Sequence, residues 1–393
     1  MRIGVDATSW TNRRGFGRFA RNAVSRLVEL DRDAQYVLYI DDASADAAQL
    51  PAAAEVVRLT LRRPPADAAS ADSSRPVTDL LRQALEVRRG RLDAFLFPSP
   101  YTYFPVLGPP IVLGLHDATA ETLPELTFPS RRSRLFWHAK QRLALAQAAQ
   151  LFTVSEAARA ELERALRIPR DRLPVVPEAP DPVFRPRSHS EVATALEAVG
   201  LPSTACPILY SGGISPHKNL ETLLDGYAAA TQRLSDPPPL VIVGDLETET
   251  YVSAAGQVRG RIEALGVRDC VLLPGFVPDE TLAALYSGAS MFVMPSLAEG
   301  FGLTAVEAAA CGAPVVLSDI PAHRETLGPD ALFFAPRDAA ALAGHVESLL
   351  ASDELRRSLA RRGRERVARF SWDATAAALK ELLHGVAGSR THA

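Results

Sequence analysis

Ser296-Leu-Ala-Glu299-Gly300-Phe301-Gly302-Leu303-Thr304-Ala-Val-Glu307-Ala-Ala-Ala-Cys311-Gly312 is the stretch whose reading decides the fold. Before it, Met291 to Met294 is an apolar run ending at Pro295, the pattern of a buried parallel strand. After it, Ala313 to Ser318 reads as the next strand. Leu303 to Cys311 is built from strong helix formers, and Gly312 stands where a helix stops in the left-handed conformation. The order is strand, glycine-lined turn, helix, strand. Such a turn offers free backbone N–H groups and the positive end of the helix dipole to an anion, most often a phosphate. Glu299 and Glu307 would repel a phosphate alone. As acceptors they suit hydroxyl donors, so a ligand with both phosphate and hydroxyls, a sugar nucleotide, is expected.

Working outward, 393 residues are enough for two domains with separate cores. Apolar residues make up 47% and charged residues 23%, ordinary for a soluble globular chain. A net charge of -3 argues against nucleic acid as a partner. Cys206, Cys270 and Cys311 lie far apart without metal-ligand spacing and beside apolar or small residues, as expected of reduced, buried thiols in a cytoplasmic protein. The amino terminus reads as a strand without a signal-peptide core, and no apolar run reaches the ~18 residues needed to cross a membrane.

Strand and helix signals alternate along both halves, which implies mainly parallel sheets with helices on both faces. In the first half, strands are expected at Arg2 to Ala7, Gln35 to Asp41, Val56 to Leu61, Asp93 to Phe97, Ile111 to His116 and Leu151 to Val154. The stretch 62–76, rich in Pro, Ala, Asp and Ser, is expected to be a surface loop. Prolines 177, 180, 182 and 186 interrupt the alternation, and the linker is placed near 180–190. A second block follows, with strands at Pro207 to Ser211, Leu240 to Val243, Cys270 to Leu273, Ser290 to Met294, Val315 to Ser318 and Ala331 to Phe334. The expected domains are 1–185, 186–370, and a final helix in 371–393 that packs back on the first. The fold class is α/β: two doubly wound domains facing across a cleft, with ligands at the carboxyl ends of the strands.

The pattern Pro-Ser-x-x-Glu299-Gly-Phe-Gly-x-x-x-x-Glu307-Ala resembles the signature of the retaining glycosyltransferases of family 4, which have the GT-B fold of two Rossmann-like domains. Further matches follow in order: Gly15-Phe-Gly17-Arg18, His116-Asp117, Thr153-Val-Ser155-Glu156, Ser215-Pro-His-Lys218-Asn219, Val243-Gly244-Asp245, Pro274-Gly275-Phe276 and Phe370-Ser-Trp372. Each is weak alone; in sequence over nearly the whole chain they are specific.

The resemblance implies roles. Glu299 is expected near the donor sugar hydroxyls and Glu307 on the ribose. Backbone amides of Gly300, Phe301, Gly302 and Leu303, with the Thr304 hydroxyl, would hold the diphosphate. Lys218 would stabilise the leaving group. Gly17 would let the first-domain backbone approach the donor phosphates, and His116 would lie near the reacting carbon. No metal and no cofactor are implied, since cation and helix dipole take that place. The partners are a nucleoside-diphosphate sugar, marginally GDP-mannose, and a hydroxyl acceptor. Gly213 departs from the pattern: the family often has an arginine there, and His217 or Arg18 are candidates for the missing charge. Pro177-Glu178-Ala179 replaces a more usual Asn-Gly, a change expected to matter little. The rival functions are a GT-B epimerase or phosphorylase, and a non-catalytic sugar-nucleotide binder.

Each signal has a plainer reading. A lone turn glutamate is ordinarily solvated, but Glu307 lies among Ala305, Val306, Ala308 and Ala309, and a buried carboxylate needs donors. Lys218 near a helix start is unfavourable unless an anion sits there. His116 could be a satisfied core histidine. Asp31-Arg32-Asp33 matches a metal-binding pattern by letter only and is read as a turn. Arg131, Arg132, Arg134, Lys140 and Arg142, interleaved with Leu135, Phe136 and Trp137, read first as a packed helix with a solvated basic face. The alternative is peripheral contact with the inner face of the membrane.

Overall fold

The computed structural model describes residues 1–62, 65, 75–232, 234–245 and 252–388. Most of the expected surface loop at 62–76 lies outside the described residues. The chain divides into two compact units, one of Met1–Glu178 with the stretch from Ser371, the other of Ala179–Phe370.

In the first unit, β1 (Arg2–Asp6), β2 (Gln35–Asp41), β3 (Glu55–Leu59), β4 (Ala94–Phe97), β5 (Ile111–Leu115) and β6 (Ala148–Thr153) form one sheet in the order β3-β2-β1-β4-β5-β6. In the second, β7 (Ile208–Ser211), β8 (Leu240–Val243), β9 (Val271–Gly275), β10 (Met291–Met294), β11 (Val315–Ser318) and β12 (Leu332–Phe334) form another in the order β12-β11-β10-β7-β8-β9. All neighbouring strands pair in parallel. The central strands are short apolar runs because helices cover both faces: β4, β5, β10 and β11 are buried at every position. Each enclosed aliphatic side chain contributes ~1.5–3 kcal/mol of burial.

Strand order reverses between β1 and β4 in one sheet and between β7 and β10 in the other. At such a point neighbouring crossovers diverge and leave a crevice at the carboxyl edge. The stretch after β10 therefore faces the stretch after β7, as required of a site built from Glu299 and Lys218.

Two boundaries differ from expectation. β6 begins at Ala148, where a register shift beside Ile111 lets the strand start directly from the end of the helix Arg131–Gln147. The first unit ends at Glu178, earlier than 185, because Phe184 and Arg187 already pack on the second unit. The Phe184 ring lies 5.9 Å from Tyr286, and the Arg187 amide donates to Ser287 Oγ at 3.1 Å.

The helix Trp372–Gly388 belongs to the first unit and lies along the helix Gly15–Leu30. Asp31, read as a turn residue, is also its anchor. Its side chain is wholly buried and accepts from Tyr36 Oη at 2.8 Å and His384 Nε2 at 2.7 Å, while Lys380 Nζ lies 2.9 Å away. Burial alone would raise this carboxyl, but hydrogen bonds from Lys380, His384 and Tyr36 bring it down to about 2. With its folded value depressed, the stabilisation is present above the ordinary carboxyl range and is lost as pH falls towards 2. Asp31→Asn should cost about 1 kcal/mol at pH 7, after discounting for solvent around Lys380 and His384. The gap from wild type should narrow as pH drops from 5 to 3. Trp10, Trp137 and Trp372 all lie in the first unit, so tryptophan fluorescence in urea reads this directly.

Candidate active site

The second unit holds most of the expected residues at its carboxyl edge. After β7 a short turn carries Pro216–Lys218, and Asn219, in the left-handed conformation at φ 55°, starts the helix Leu220–Thr231. After β10 the chain runs through Glu299 to Gly302, which caps the helix Leu303–Ala310 at φ 81°. A side chain at Gly302 would be strained, and a Cβ there would lie 3.0 Å from His323 Cδ2. Two bonds tie the turns together: Asn219 Nδ2 donates to the Pro295 carbonyl at 2.9 Å, and the Leu297 amide to the His217 carbonyl at 2.8 Å.

Across this join, Lys218 Nζ meets Glu299 Oε1 at 2.6 Å. Lys218 and Glu299, expected on different parts of one ligand, are bonded to each other. The pair is largely enclosed, with 18% and 12% of the two side chains exposed. Burial would raise the Glu299 carboxyl, but the charge of Lys218, bonded to it, holds it below its ordinary value. The pair thus persists above the ordinary carboxyl range and is lost only as pH falls below it. No side chain caps the helix Leu303–Ala310, which leaves its first turn open to an anion. Thr304 Oγ1 turns back to Met294 Sδ at 3.5 Å, and Glu307 is wholly buried on the same helix. At Gly213, the position that lacks the usual arginine, the carbonyl accepts from Tyr210 Oη at 2.8 Å.

His323 was not singled out in the sequence. It is wholly buried, and its Nδ1 lies 2.8 Å from the Ser318 carbonyl oxygen, so Nδ1 carries the hydrogen and Nε2 a lone pair. That Nε2 is buried without a hydrogen bond among the described residues, beneath Gly302. Burial pushes the ring's proton affinity down, which keeps it neutral. In sequence it is one histidine after a strand, and only the return of the chain under the glycine turn reveals its position.

In the first unit, Asp6 closes β1 and bridges the switch point by accepting from Thr102 Oγ1 at 2.5 Å. Gly17 is buried, and a Cβ there would sit 2.2 Å from the Asn12 carbonyl oxygen. Arg21 Nη1 holds that oxygen at 2.7 Å and the Trp10 carbonyl at 2.6 Å. The close approach that excludes a side chain at Gly17 is thus made by the chain's own loop. His116 directly follows β5 and is buried, with Nε2 2.8 Å from the Pro98 carbonyl oxygen and Nδ1 3.3 Å from Glu178 Oε1. Glu178, expected to matter little, is therefore buried and paired with His116. The missed signal was an acid where the resembling family has a neutral residue.

The fold matches solved structures over nearly its whole length. One is sucrose-phosphate synthase from Thermosynechococcus elongatus, at TM-score 0.77 and 21% identity over 99% of this chain and 100% of that one. Another is HepE of Anabaena in complex with UDP-glucose, at TM-score 0.74 and 18% identity over 98% and 100%. These likenesses place the fold in the GT-B class of glycosyltransferases. The model of Glycosyltransferase Family 4 matches residues 13–183 and that of Glycosyl transferases group 1 matches residues 194–366, and the chain belongs to this family. Among its relatives, O-antigen chain mannosyltransferase B of Escherichia coli is 31% identical over 280 residues, 71% of each chain. The MMP alpha-(1->4)-mannosyltransferase of Mycolicibacterium hassiacum is 33% identical over 242 residues, 60% of this chain and 54% of that one. The protein is a hexosyltransferase.

Removing one partner of an enclosed ion pair strands the other charge. Lys218→Met should therefore destabilise the second unit by about 2 kcal/mol in urea unfolding. Adding Glu299→Gln should recover much of that loss, although the double variant has lost both side chains of the pair.

Proposed function

We propose that the protein is a retaining mannosyltransferase that uses GDP-mannose and needs neither metal nor cofactor. The observation that carries the reading is the Lys218–Glu299 pair, 2.6 Å apart beside the open end of the helix Leu303–Ala310. A diphosphate at that helix end takes Lys218 as its cation, and the sugar hydroxyls take Glu299 as acceptor, so one donor replaces both halves of the pair. Glu307 accepts from the ribose. The C1–O bond to the diphosphate breaks as the acceptor oxygen bonds C1 on the same face, and the acceptor proton passes to the departing diphosphate. Lys218 and the helix dipole stabilise the charge that builds there. The mannosyl choice is supported by the relatives named as mannosyltransferases; UDP-glucose, bound by the Anabaena protein, is the competing donor.

A second observation favours an acceptor at a membrane surface. The helix Arg131–Gln147 exposes Leu135 at 70%, Phe136 at 56% and Leu143 at 44%, beside exposed Arg131, Arg132, Arg134 and Arg142. Apolar side chains flanked by cations suit the headgroup boundary of an anionic bilayer. Among the described residues no helix is long and apolar enough to cross a membrane, so the contact proposed is peripheral.

A panel of nucleotide sugars tests the donor. GDP-mannose should raise the melting temperature most and be hydrolysed slowly without acceptor, equally well in EDTA, and nuclear magnetic resonance should show an unchanged anomeric configuration in the transfer product. Glu299→Ala should lower turnover ~10²–10³-fold. Faster turnover of another donor removes the mannosyl assignment, and an unimpaired Glu299→Ala removes the role of Glu299. In flotation assays, wild type should bind vesicles containing anionic lipid at low salt, and Leu135→Ser with Phe136→Ser should release it. Absence of binding would end the membrane reading.

A further inference from the structure

Both ring nitrogens of His116 face oxygen atoms that only accept. The Pro98 carbonyl, 2.8 Å from Nε2, requires a hydrogen on that nitrogen. The Glu178 carboxylate, 3.3 Å from Nδ1, favours a second. A ring with both hydrogens is an imidazolium, and it leaves no lone pair to receive a proton.

The surroundings hold this state in place. The Phe19 ring lies edge-on to the imidazole at 4.7 Å and 81°, and Trp372 packs behind Phe19 at 6.1 Å. The side chains of His116 and Glu178 are 9% and 6% exposed, so water screens the pair little. Glu178 ends the first of the two stretches that make up the first unit, and its backbone is fixed on one side by Thr375 Oγ1, which donates to the Pro177 carbonyl at 2.6 Å. The charged groups facing the ring are Glu178, from the segment after β6, and Asp117, from its own turn; the Pro98 carbonyl adds its dipole from the turn after β4. Burial alone would lower the proton affinity of His116, but Glu178 first, then Pro98 and Asp117, raise it above the ordinary histidine value.

We propose that Glu178 is a positioning residue for hexosyl transfer, which keeps His116 a fixed cation at the carboxyl end of β5 throughout the working pH range. The proposal rests on the reading of that edge as part of the active site. In this role His116 attracts the anionic donor through its charge and does not act as a base, since neither nitrogen can take a proton. Its folded proton affinity is raised, so the charge is complete below the ordinary histidine value and is lost only as pH rises through the elevated one.

Glu178→Gln tests it. The amide NH₂ can donate to an unprotonated Nδ1 and leaves the Pro98 bond intact, so the ring becomes neutral with its packing preserved. Nitrogen-15 spectra of the full chain, with His116→Gln for assignment, should show both His116 ring nitrogens protonated at pH 8 in wild type, and one bare nitrogen in Glu178→Gln. Turnover of the best donor by Glu178→Gln should fall about tenfold or more at pH 8 and recover in part at pH 5.5, where the ring regains its proton; Glu178→Asp should retain most of the wild-type pH profile. A bare ring nitrogen in wild type at pH 8 overturns the proposal whatever the donor proves to be. An imidazolium that Glu178→Gln removes without changing the rate at any pH overturns the positioning role and leaves the transferase reading standing. If Glu178→Gln does not fold, the wild-type titration and the Glu178→Asp profile decide the matter.

Discussion

Within each sheet every strand runs in the same direction, and the site depends on that constraint. Parallel strands deliver all their carboxyl ends to one edge, with the following turns and helix amino termini. In the second unit the edge gathers Lys218, Glu299 and the start of the helix Leu303–Ala310. In the first it gathers Asp6, Gly17 and His116. The reversal of strand order between β7 and β10 separates the neighbouring crossovers and leaves space above the edge. An antiparallel strand at either position would send its turn to the opposite edge and dismantle the arrangement.

The ion pair at the edge balances opposing demands. Two charges so far out of water would be costly apart, and together they satisfy one another. The same pairing holds each side chain in a fixed place at the carboxyl edge. Two buried histidines, His323 in the second unit and His116 in the first, differ in their tendency to carry charge for local reasons. His323 has one acceptor carbonyl and no carboxylate bonded to it, so burial keeps it neutral; His116 has a carbonyl and a carboxylate, and burial is overruled. Chemically identical side chains are thus shifted in opposite directions by what faces their second nitrogen.

Much of this was legible in the sequence because its signals are local. The apolar runs of β4, β5, β10 and β11 report burial on both faces, and the glycine turn before Leu303 reports a helix start. Glu299 and Glu307 could be singled out because their residue types fit a ligand at that turn, and Lys218 through the family resemblance. What could not be read depends on partners far along the chain. Asp31 gains its meaning from Lys380 and His384, Glu178 from His116, and His323 from its place beneath Gly302. None of these pairings has a spacing rule, since tertiary packing alone brings the residues together. Gly17 shows the converse: the need for glycine was visible, but the atom that imposes it, the Asn12 carbonyl oxygen, was not.

The helix Trp372–Gly388 returns from the end of the chain to the first unit, which places an order on synthesis. A chain emerging amino terminus first has made all of residues 179–370 before this helix exists. Until then Asp31 lacks Lys380 and His384, and the face of the helix Gly15–Leu30 that meets Trp372–Gly388 is uncovered. The unit that begins the chain is therefore the later one to close. An uncovered apolar helix face in a nascent chain is a surface that chaperones bind and aggregates share, and in this chain that face waits for Trp372–Gly388 to be made.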